Sequence, residues 1–297
     1  MLEWLEISSN AFASPSATDS TGLTVVATAT RAFLHEPHAL GSDPFDAPMR
    51  GAGSPETTHW LLEGAIAAAG RAFHAARGAI SPAAGSLGSA AHWAYRLVGY
   101  FHTTDATRRL LPLIALRFAA SGQRPLSAWA KLKINEESGH EQLALRDLSE
   151  LGYRAQGLVS AFVPPRAAAW VALFERLAKA DNPVGCVGYA HALERLALLR
   201  GPTEVDAIEQ SLPVGVNATR CLRVHSALGS DAHHVRSNVT TTAALNADDR
   251  RAIAHACYLT ARIYFDPTLD DDFHSAGLEA KVLAYREHTP SSPVYDS

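Results

Sequence analysis

The chain has 297 residues, of which 47% are hydrophobic and 19% are charged, and its formal net charge is -4. This length is sufficient to bury one large core. The absence of any run of Lys and Arg argues against nucleic acid as a partner. The apolar runs, such as residues 110–116, are too short to cross a bilayer, which argues against a membrane protein.

The compartment is inferred from the first residues and from the cysteines. The chain begins M-L-E-W-L-E-I, which lacks the basic and apolar regions of a signal peptide. Three widely spaced cysteines, Cys186, Cys221 and Cys257, fit reduced and buried thiols better than a disulfide framework. We therefore expect a cytoplasmic protein.

The sequence predicts two regions, an N-terminal extension over residues 1–57 and a helical domain over residues 58–297. The extension is partly irregular, because residues 36–57 contain four prolines, and its best strand candidate, Leu23–Ala29, has no predicted partner. The rest of the chain has Ala-, Leu-, Arg- and Glu-rich segments broken by Gly and Pro, which predicts an all-α fold. The predicted helices cover residues 58–78, 88–103, 106–121, 125–151, 166–181, 185–200, 203–211, 215–245, 247–265 and 270–287.

Several of the predicted helix ends have a physical cause. Gly122 suits a C-terminal cap, and the pair Pro164–Pro165 suits the entry of the next helix. Asn246 suits the N-cap of the helix over residues 247–265, with Asp248 and Asp249 in its first turn.

The first candidate metal ligands lie in the predicted helix over residues 125–151. Glu137 and His140 are three residues apart, so on a regular helix they would share a face. Glu-x-x-His pairs of this kind bind iron or manganese inside helical bundles. Glu136 also shares a face with His140 and is an alternative to Glu137 as the ligand. A charged outer face of an amphipathic helix is the simpler interpretation.

The second candidate is Glu194, whose helical neighbours Val187, Ala190 and Leu198 are apolar. A carboxylate on such a face must be paired, protonated or bound to metal. Pairing with an arginine from a packed helix is the alternative to metal binding. His191, one turn earlier, is either a partner of Glu194 or a core histidine.

The third candidate group is Asp231 and His234, which repeat the acid-x-x-His spacing, together with His225. Six residues turn a helix by about 600°, so His225 would face Asp231 only if the helix were distorted. Gly229 is a suitable place for a wide turn. A polar helix end with surface histidines is the alternative.

Taken together, these segments offer the oxygen and nitrogen ligands that two iron ions require. The absence of thiolates argues against structural zinc. A further acidic segment, residues 270–274 with His274 at its end, fits the first turn of a helix better than a metal site. The candidate ligands are Glu137, His140, Glu194, His225, Asp231 and His234.

The ordered motifs resemble those of the haem-oxygenase-like dimetal oxidases and oxygenases, relatives of the thiaminase-II and pyrroloquinoline-quinone-synthesis folds. The resemblance covers about residues 58–265. It rests on E-E-S-G-H-E-x-L-x-L-x-D-L-x-x-L-G at 136–152, G-Y-A-H-A-L-E at 188–194, and the later His225…Asp231-x-x-His234. It implies a compact bundle of about seven core helices, with the candidate ligands around two iron ions.

The resemblance also implies a function. The protein would be a non-haem di-iron oxygenase that uses two Fe(II) ions per chain, with manganese as an alternative, and dioxygen as co-substrate. It would oxidise a small amine or amino-acid-like metabolite by N-oxygenation or oxidative C–C cleavage, in specialised metabolite biosynthesis. An external electron donor and a homodimer are compatible with it. The alternatives are a metal-independent hydrolase or oxidase of the same fold, and a non-catalytic helical binding protein.

Overall fold

The computed structural model describes residues 53–77, 89–213, 215–226, 230–269 and 277–287, together with the backbone of three short strands. Within these ranges, the side chains of residues 71–77, 199–203, 225–226 and 230–232 are not described. The prediction for residues 270–274 and the prediction of a wide turn at Gly229 therefore lie outside the described residues.

The described part of the chain contains eleven α-helices, which confirms the all-α class. Helix α10 has the predicted bounds, and the Asn246 side chain accepts a hydrogen bond of 2.9 Å from the backbone N–H of Asp249, as expected of an N-cap. A single 3₁₀ turn, Pro267–Leu269, follows α10. The helices are α1 Pro55–Arg77, α2 Ala90–Ala120, α3 Arg124–Glu136, α4 His140–Glu150, α5 Ala155–Ala161, α6 Pro165–Lys179, α7 Gly185–Ser211, α8 Arg220–Ser226, α9 Ser230–Ala243, α10 Ala247–Phe265 and α11 Leu278–Leu283.

A small antiparallel sheet precedes the helices. Its strands are β1 Leu5–Glu6, β2 Thr24–Ala27 and β3 Ala32–His35, in the order β1-β3-β2. The predicted strand at residues 23–29 is therefore confirmed as β2, but the prediction that it stands alone was wrong, since it pairs with β3. Strands β2 and β3 lie against α1.

Helix α2 joins two segments that the sequence analysis separated near residue 104. Thr103 and Thr104 lie at this separation, and threonine hydroxyls can compete for backbone groups. Here both hydroxyls bond backward within the helix, and that of Thr104 donates to the carbonyl of Tyr100 at 2.8 Å. The helix therefore continues through them to Ala120, and Gly122 follows with φ of 74°, as expected beyond a helix end.

The predicted helix over residues 125–151 is instead two helices, so this prediction was wrong. Helix α3 ends at Glu136 and α4 begins at His140, with Gly139 between them at φ of 85°. Glycine adopts this left-handed conformation without the steric cost that other residues incur. As a result, Glu137 and His140 lie at either side of a turn and do not share one helix face.

Other boundaries also differ from the predictions. Helix α7 runs through the predicted break at Pro202. The predicted helix 215–245 is described as α8 and α9, and α5 was not predicted. Helix α11 begins at Leu278, after Gly277 at φ of 64°, eight residues later than predicted.

The helices pack around two clusters of buried apolar side chains. The larger involves α1, α3, α6, α9 and α10, and the smaller involves α4, α5, α8 and α11, while α2 and α7 contribute to both. Helices α7 and α10 are in close backbone contact at Gly188, where an added Cβ would lie 2.0 Å from the carbonyl oxygen of Ile253. The two backbones thus approach to a distance that only glycine permits.

Within the described residues, no single helix combines the length and apolar character needed to span a bilayer. The bent pair formed by α5 and α6, which meet at 75°, meets these criteria only by length and composition.

Candidate metal centre

The centre of the candidate site is an ion pair between Lys133 of α3 and Glu194 of α7. The Lys133 Nζ atom lies 2.7 Å from Glu194 Oε1 and 2.8 Å from Glu136 Oε2. The Lys133 side chain is only 2% exposed. Burial lowers the pKa of a lysine, but the carboxylates of Glu194 and Glu136 outweigh burial and raise the pKa of Lys133. Lys133 is therefore a buried cation.

The second oxygen of Glu194 is also bonded. The Asn238 side-chain amide of α9 donates to Glu194 Oε2 at 2.6 Å. Asn238 in turn accepts a hydrogen bond of 2.8 Å from the indole N–H of Trp129. This chain of bonds holds the carboxylate in one orientation. The sequence predicted that Glu194 must be paired, protonated or metal-bound. It is paired, and the cation that the described side chains supply is a lysine from α3, where an arginine was expected.

His234 of α9 brings an imidazole to the same carboxylates. Its Nε2 atom lies 3.3 Å from Glu136 Oε1, and its Nδ1 atom lies 4.0 Å from Glu194 Oε1. Burial, followed by the nearby Lys133 ammonium, lowers the pKa of His234. The neutral imidazole is thereby favoured, and this is the form that binds metal ions.

Glu137 and His140 form a separate contact beside this cluster. Glu137 Oε2 lies 2.9 Å from His140 Nδ1, and the two side chains are 15% and 14% exposed. The contact persists across the α3–α4 turn because the Glu137 N–H still bonds to the Lys133 carbonyl at 2.9 Å. The next residue, Glu141, lies 3.7 Å from the Nε atom of Arg108. Glu137 and His140 are thus in contact across a turn between two helices, and not on the face of one helix as predicted.

The six predicted ligands are only partly placed. Glu137, His140, Glu194 and His234 are described at the ends of α3 and α4 and along α7 and α9, while the side chains of His225 and Asp231 lie outside the described ones. Among the described side chains, no three from His, Cys, Asp and Glu are arranged to hold a metal ion. One physical reason is that the Lys133 ammonium lies between Glu136 and Glu194.

Three residues of the cluster were missed by reasoning from the sequence. These are Lys133, Asn238 and Trp129, and none of them matches a metal motif. A lysine and an asparagine are usually exposed, and a tryptophan is usually part of the core. Helical spacing was the only available signal: Asn238 follows His234 by four residues, and Lys133 precedes Glu137 by four. Lysine is rarely buried without a partner, so its position on the apolar side of α3 was the detectable anomaly.

His191 does not belong to the cluster. It is fully buried, and within the described part of the chain neither of its ring nitrogens has a hydrogen-bond partner. Burial, aided by His59 and Arg195, lowers the pKa of His191 to about 3. Of the two predicted roles, partner of Glu194 or core histidine, the second is the one observed.

A cavity of about 450 Å³ lies at the surface of α4 and α8 and is lined by Leu145, Arg146, Ser149, Glu150 and Arg220. None of the candidate ligands contributes to it. This cavity therefore gives no information about a substrate at the Lys133–Glu194 cluster.

Comparisons with known proteins add no assignment. No family model, no curated protein and no solved structure matches this chain. The resemblance to haem-oxygenase-like oxygenases therefore stays a prediction from the ordered motifs.

Proposed function

We propose that this protein is a non-haem di-iron oxygenase that oxidises a small amine or amino-acid-like metabolite. The observation that supports this proposal most is the grouping of buried carboxylates with an imidazole. The carboxylates of Glu136 and Glu194 share the buried ammonium of Lys133. The His234 imidazole lies 3.3 Å from Glu136 Oε1, and oxygen and nitrogen groups gathered in this way are of the types that bind a further cation.

The donor types fit iron. Carboxylates and neutral imidazoles without thiolates are the ligands of non-haem iron oxygenases, and a bound iron ion would supply the activation of dioxygen. His140 and His234 would supply the imidazoles, and Glu137, Glu194 and Glu136 the carboxylates. Asp231 and His225 complete the proposed set from the motif alone.

The surrounding residues have definable tasks in this proposal. Asn238 and Trp129 hold the Glu194 carboxylate in a single orientation through bonds of 2.6 and 2.8 Å. Preorganised neighbours of this kind commonly fix the direction of a metal-binding side chain. The lowered pKa of His234 keeps its ring neutral and able to bind. The substrate class and the electron donor are proposed from the resemblance only.

Lys133 favours a second candidate function, in which the fold works without metal. An ammonium that already joins Glu136 and Glu194 satisfies part of the demand for a cation. A metal-independent hydrolase or oxidase, or a helical binding protein, would retain this ion pair as a structural element. The two candidates differ in whether the protein binds iron.

The deciding experiment is an anaerobic Fe(II) titration, followed by rapid mixing with dioxygen and recording of the visible absorbance. We expect the wild type to bind iron and to give an oxygen-dependent transient. The Glu194→Gln variant keeps the size of the side chain but loses its charge, and we expect it to lose the transient. Asp206→Asn, an exposed change on the same helix, is the matched control and should behave as the wild type. Absence of iron binding in the wild type, with and without candidate amines, contradicts the proposal.

A further inference from the structure

The outer surface of α2 and α3 carries exposed leucines at some distance in sequence from the candidate ligands. The two helices form a hairpin through residues 121–123, and they lie side by side, since the Ser127 hydroxyl donates to the carbonyl of Ala115 at 3.1 Å. Large apolar side chains on the solvent side of such a hairpin contribute little to the core. Three of them stand out by their exposure, namely Leu113 at 39%, Leu116 at 70% and Leu132 at 42%.

The same hairpin is strongly basic, although the whole chain has a formal net charge of -4. Residues 106–135 contain six Lys and Arg residues and no Asp or Glu. Lys133 is buried in the candidate centre, and Arg108 and Arg109 are both paired with Asp105. The other three have no ion-pair partner within the described part of the chain; they are Arg117, Arg124 and Lys131.

We propose that this outer surface of α2 and α3 binds to an anionic lipid membrane. The leucines enter the boundary between the headgroups and the acyl chains, and the cations lie at the level of the lipid phosphates and carboxylates. Such a contact lies on the bilayer and requires no helix that crosses it. The proposal does not depend on the oxygenase function, since none of the candidate metal ligands belongs to this surface.

The composition of the surface favours a lipid over a macromolecular partner. Protein interfaces draw most of their affinity from Trp, Tyr and Arg, and leucine is under-represented there. Single-stranded nucleic acids are bound by stacking on exposed aromatic rings. The two aromatic residues of residues 106–135, Phe118 and Trp129, are 0% and 4% exposed. The surface therefore offers leucines and flexible cations, whose long apolar stems suit a headgroup layer.

The expected binding is reversible and depends on charge. Each cation close to an anionic leaflet strengthens binding by about fivefold. Burial of one exposed leucine strengthens binding by about tenfold or more. Salt screens the contribution of the cations and leaves that of the leucines, so the affinity should fall as the ionic strength rises.

The test is cosedimentation of the full chain with extruded vesicles at low salt. One set of vesicles is phosphatidylcholine alone, and the other contains about one third phosphatidylserine, which supplies the negative charge. The test variant combines Leu116→Ser with Lys131→Gln. The matched control combines Lys281→Gln with Leu283→Ser, which removes an exposed lysine and an exposed leucine from α11. Circular dichroism checks that both variants are folded.

We expect the wild type and the control to bind the anionic vesicles, and to bind the neutral vesicles far more weakly. The test variant should bind the anionic vesicles at least about tenfold more weakly than the wild type. Lys131→Gln alone should weaken binding by about fivefold and make it less sensitive to salt, which provides a second readout with a single exposed change.

Three results would overturn the proposal. The first is no binding of the wild type to anionic vesicles, or equal binding to both kinds of vesicle. The second is equal loss of binding in the test variant and the control. The third is binding of polyglutamate, or a concentration-dependent dimer that the test variant abolishes, without any binding to vesicles; the surface would then contact an acidic protein or a second copy of this chain.

Discussion

Two buried carboxylates of this molecule have contrasting surroundings. Asp147 of α4 is 0% exposed, and both of its oxygens are bonded, one to the Arg220 guanidinium at 3.0 Å and one to the Cys221 backbone N–H at 2.9 Å. Glu194 of α7 is bonded equally well, but its cation, Lys133, is only 2% exposed, and an imidazole lies within 4.0 Å.

The surroundings of the two carboxylates differ in the exposure of the cation and in the groups beside it. Around Asp147, the cation is the Arg220 guanidinium, which also lies 3.4 Å from Glu150 and is 33% exposed, so that water contributes to the neutralisation. Around Glu194, two carboxylates share one buried ammonium, and the His234 imidazole lies beside them. Burial of a charged pair is therefore not in itself a sign of function. A cation that is shut off from water, together with a neutral imidazole beside the carboxylates, is a better sign.

The largest expected effect is the loss of the Lys133 cation. Lys133→Met should lower the free energy of unfolding of the metal-free protein by about 3–5 kcal/mol, as is typical when one partner of a buried pair is removed. Urea denaturation measures this loss of unfolding free energy. Lys131→Met, on the exposed side of the same helix, should change stability by no more than about 0.5 kcal/mol. Equal effects of the two variants would mean that the Lys133 pairs contribute no net stability.

His191 provides the next test, because it is a buried polar group outside both pairs. Its pKa is about 3 in the folded state and about 6.5 when unfolded, so the unfolded chain binds more protons below pH 6.5. Stability is therefore lost as the pH falls, by about 2 kcal/mol between pH 6.5 and 5. His191→Phe should remove this part of the pH dependence in urea denaturation. An unchanged slope in the variant would assign the pH dependence to other groups.

Asp147→Asn should have a smaller effect. Burial outweighs the bonds from Cys221 and Arg220 and raises the pKa of Asp147, so the charged form gains little from its pairing. We expect a loss of about 1–2 kcal/mol in unfolding free energy and no change in iron binding. A loss of iron binding would break the contrast between the two carboxylates.

The smallest expected effect is at the Asn246 cap, which lies outside both carboxylate groups. Asn246→Ala removes the bond to the Asp249 N–H and should cost about 1 kcal/mol, measured as a shift in the urea midpoint. Iron binding should be unaffected. Asn246→Ala shows how a local loss of stability affects the protein. Asp147→Asn should likewise lower the free energy of unfolding, by a different amount, and leave iron binding unchanged.

The sequence predicted those features of the fold that depend on residues close together in the chain. The bounds of α10 and the role of Asn246 follow from a local cap, and the all-α class follows from helical periodicity. The break at Gly139 was missed because the apolar spacing is regular on both sides of it, and periodicity alone does not register one residue with positive φ.

The candidate site was predictable only where its residues lie in one motif. Glu137 and His140, three residues apart, are in contact, although the single helix face predicted for them is absent. Lys133 and Glu194 are separated by 61 positions, so their contact depends on how α3 packs against α7. An arginine was the predicted alternative partner of Glu194, and nothing local to Glu194 distinguishes an arginine from a lysine supplied by another helix.

The close approach at Gly188 has a mechanical consequence. Because α7 and α10 touch backbone to backbone there, α7 cannot slide along or rotate against its neighbour without a clash. Glu194 lies less than two turns away on the same helix and is therefore carried by a rigid support. The turn at Gly139 has open space around it, since an added Cβ there would meet no atom within 4 Å. If a cation enters as proposed, the α3–α4 turn has the space to adjust, whereas α7 is fixed by its contact with α10.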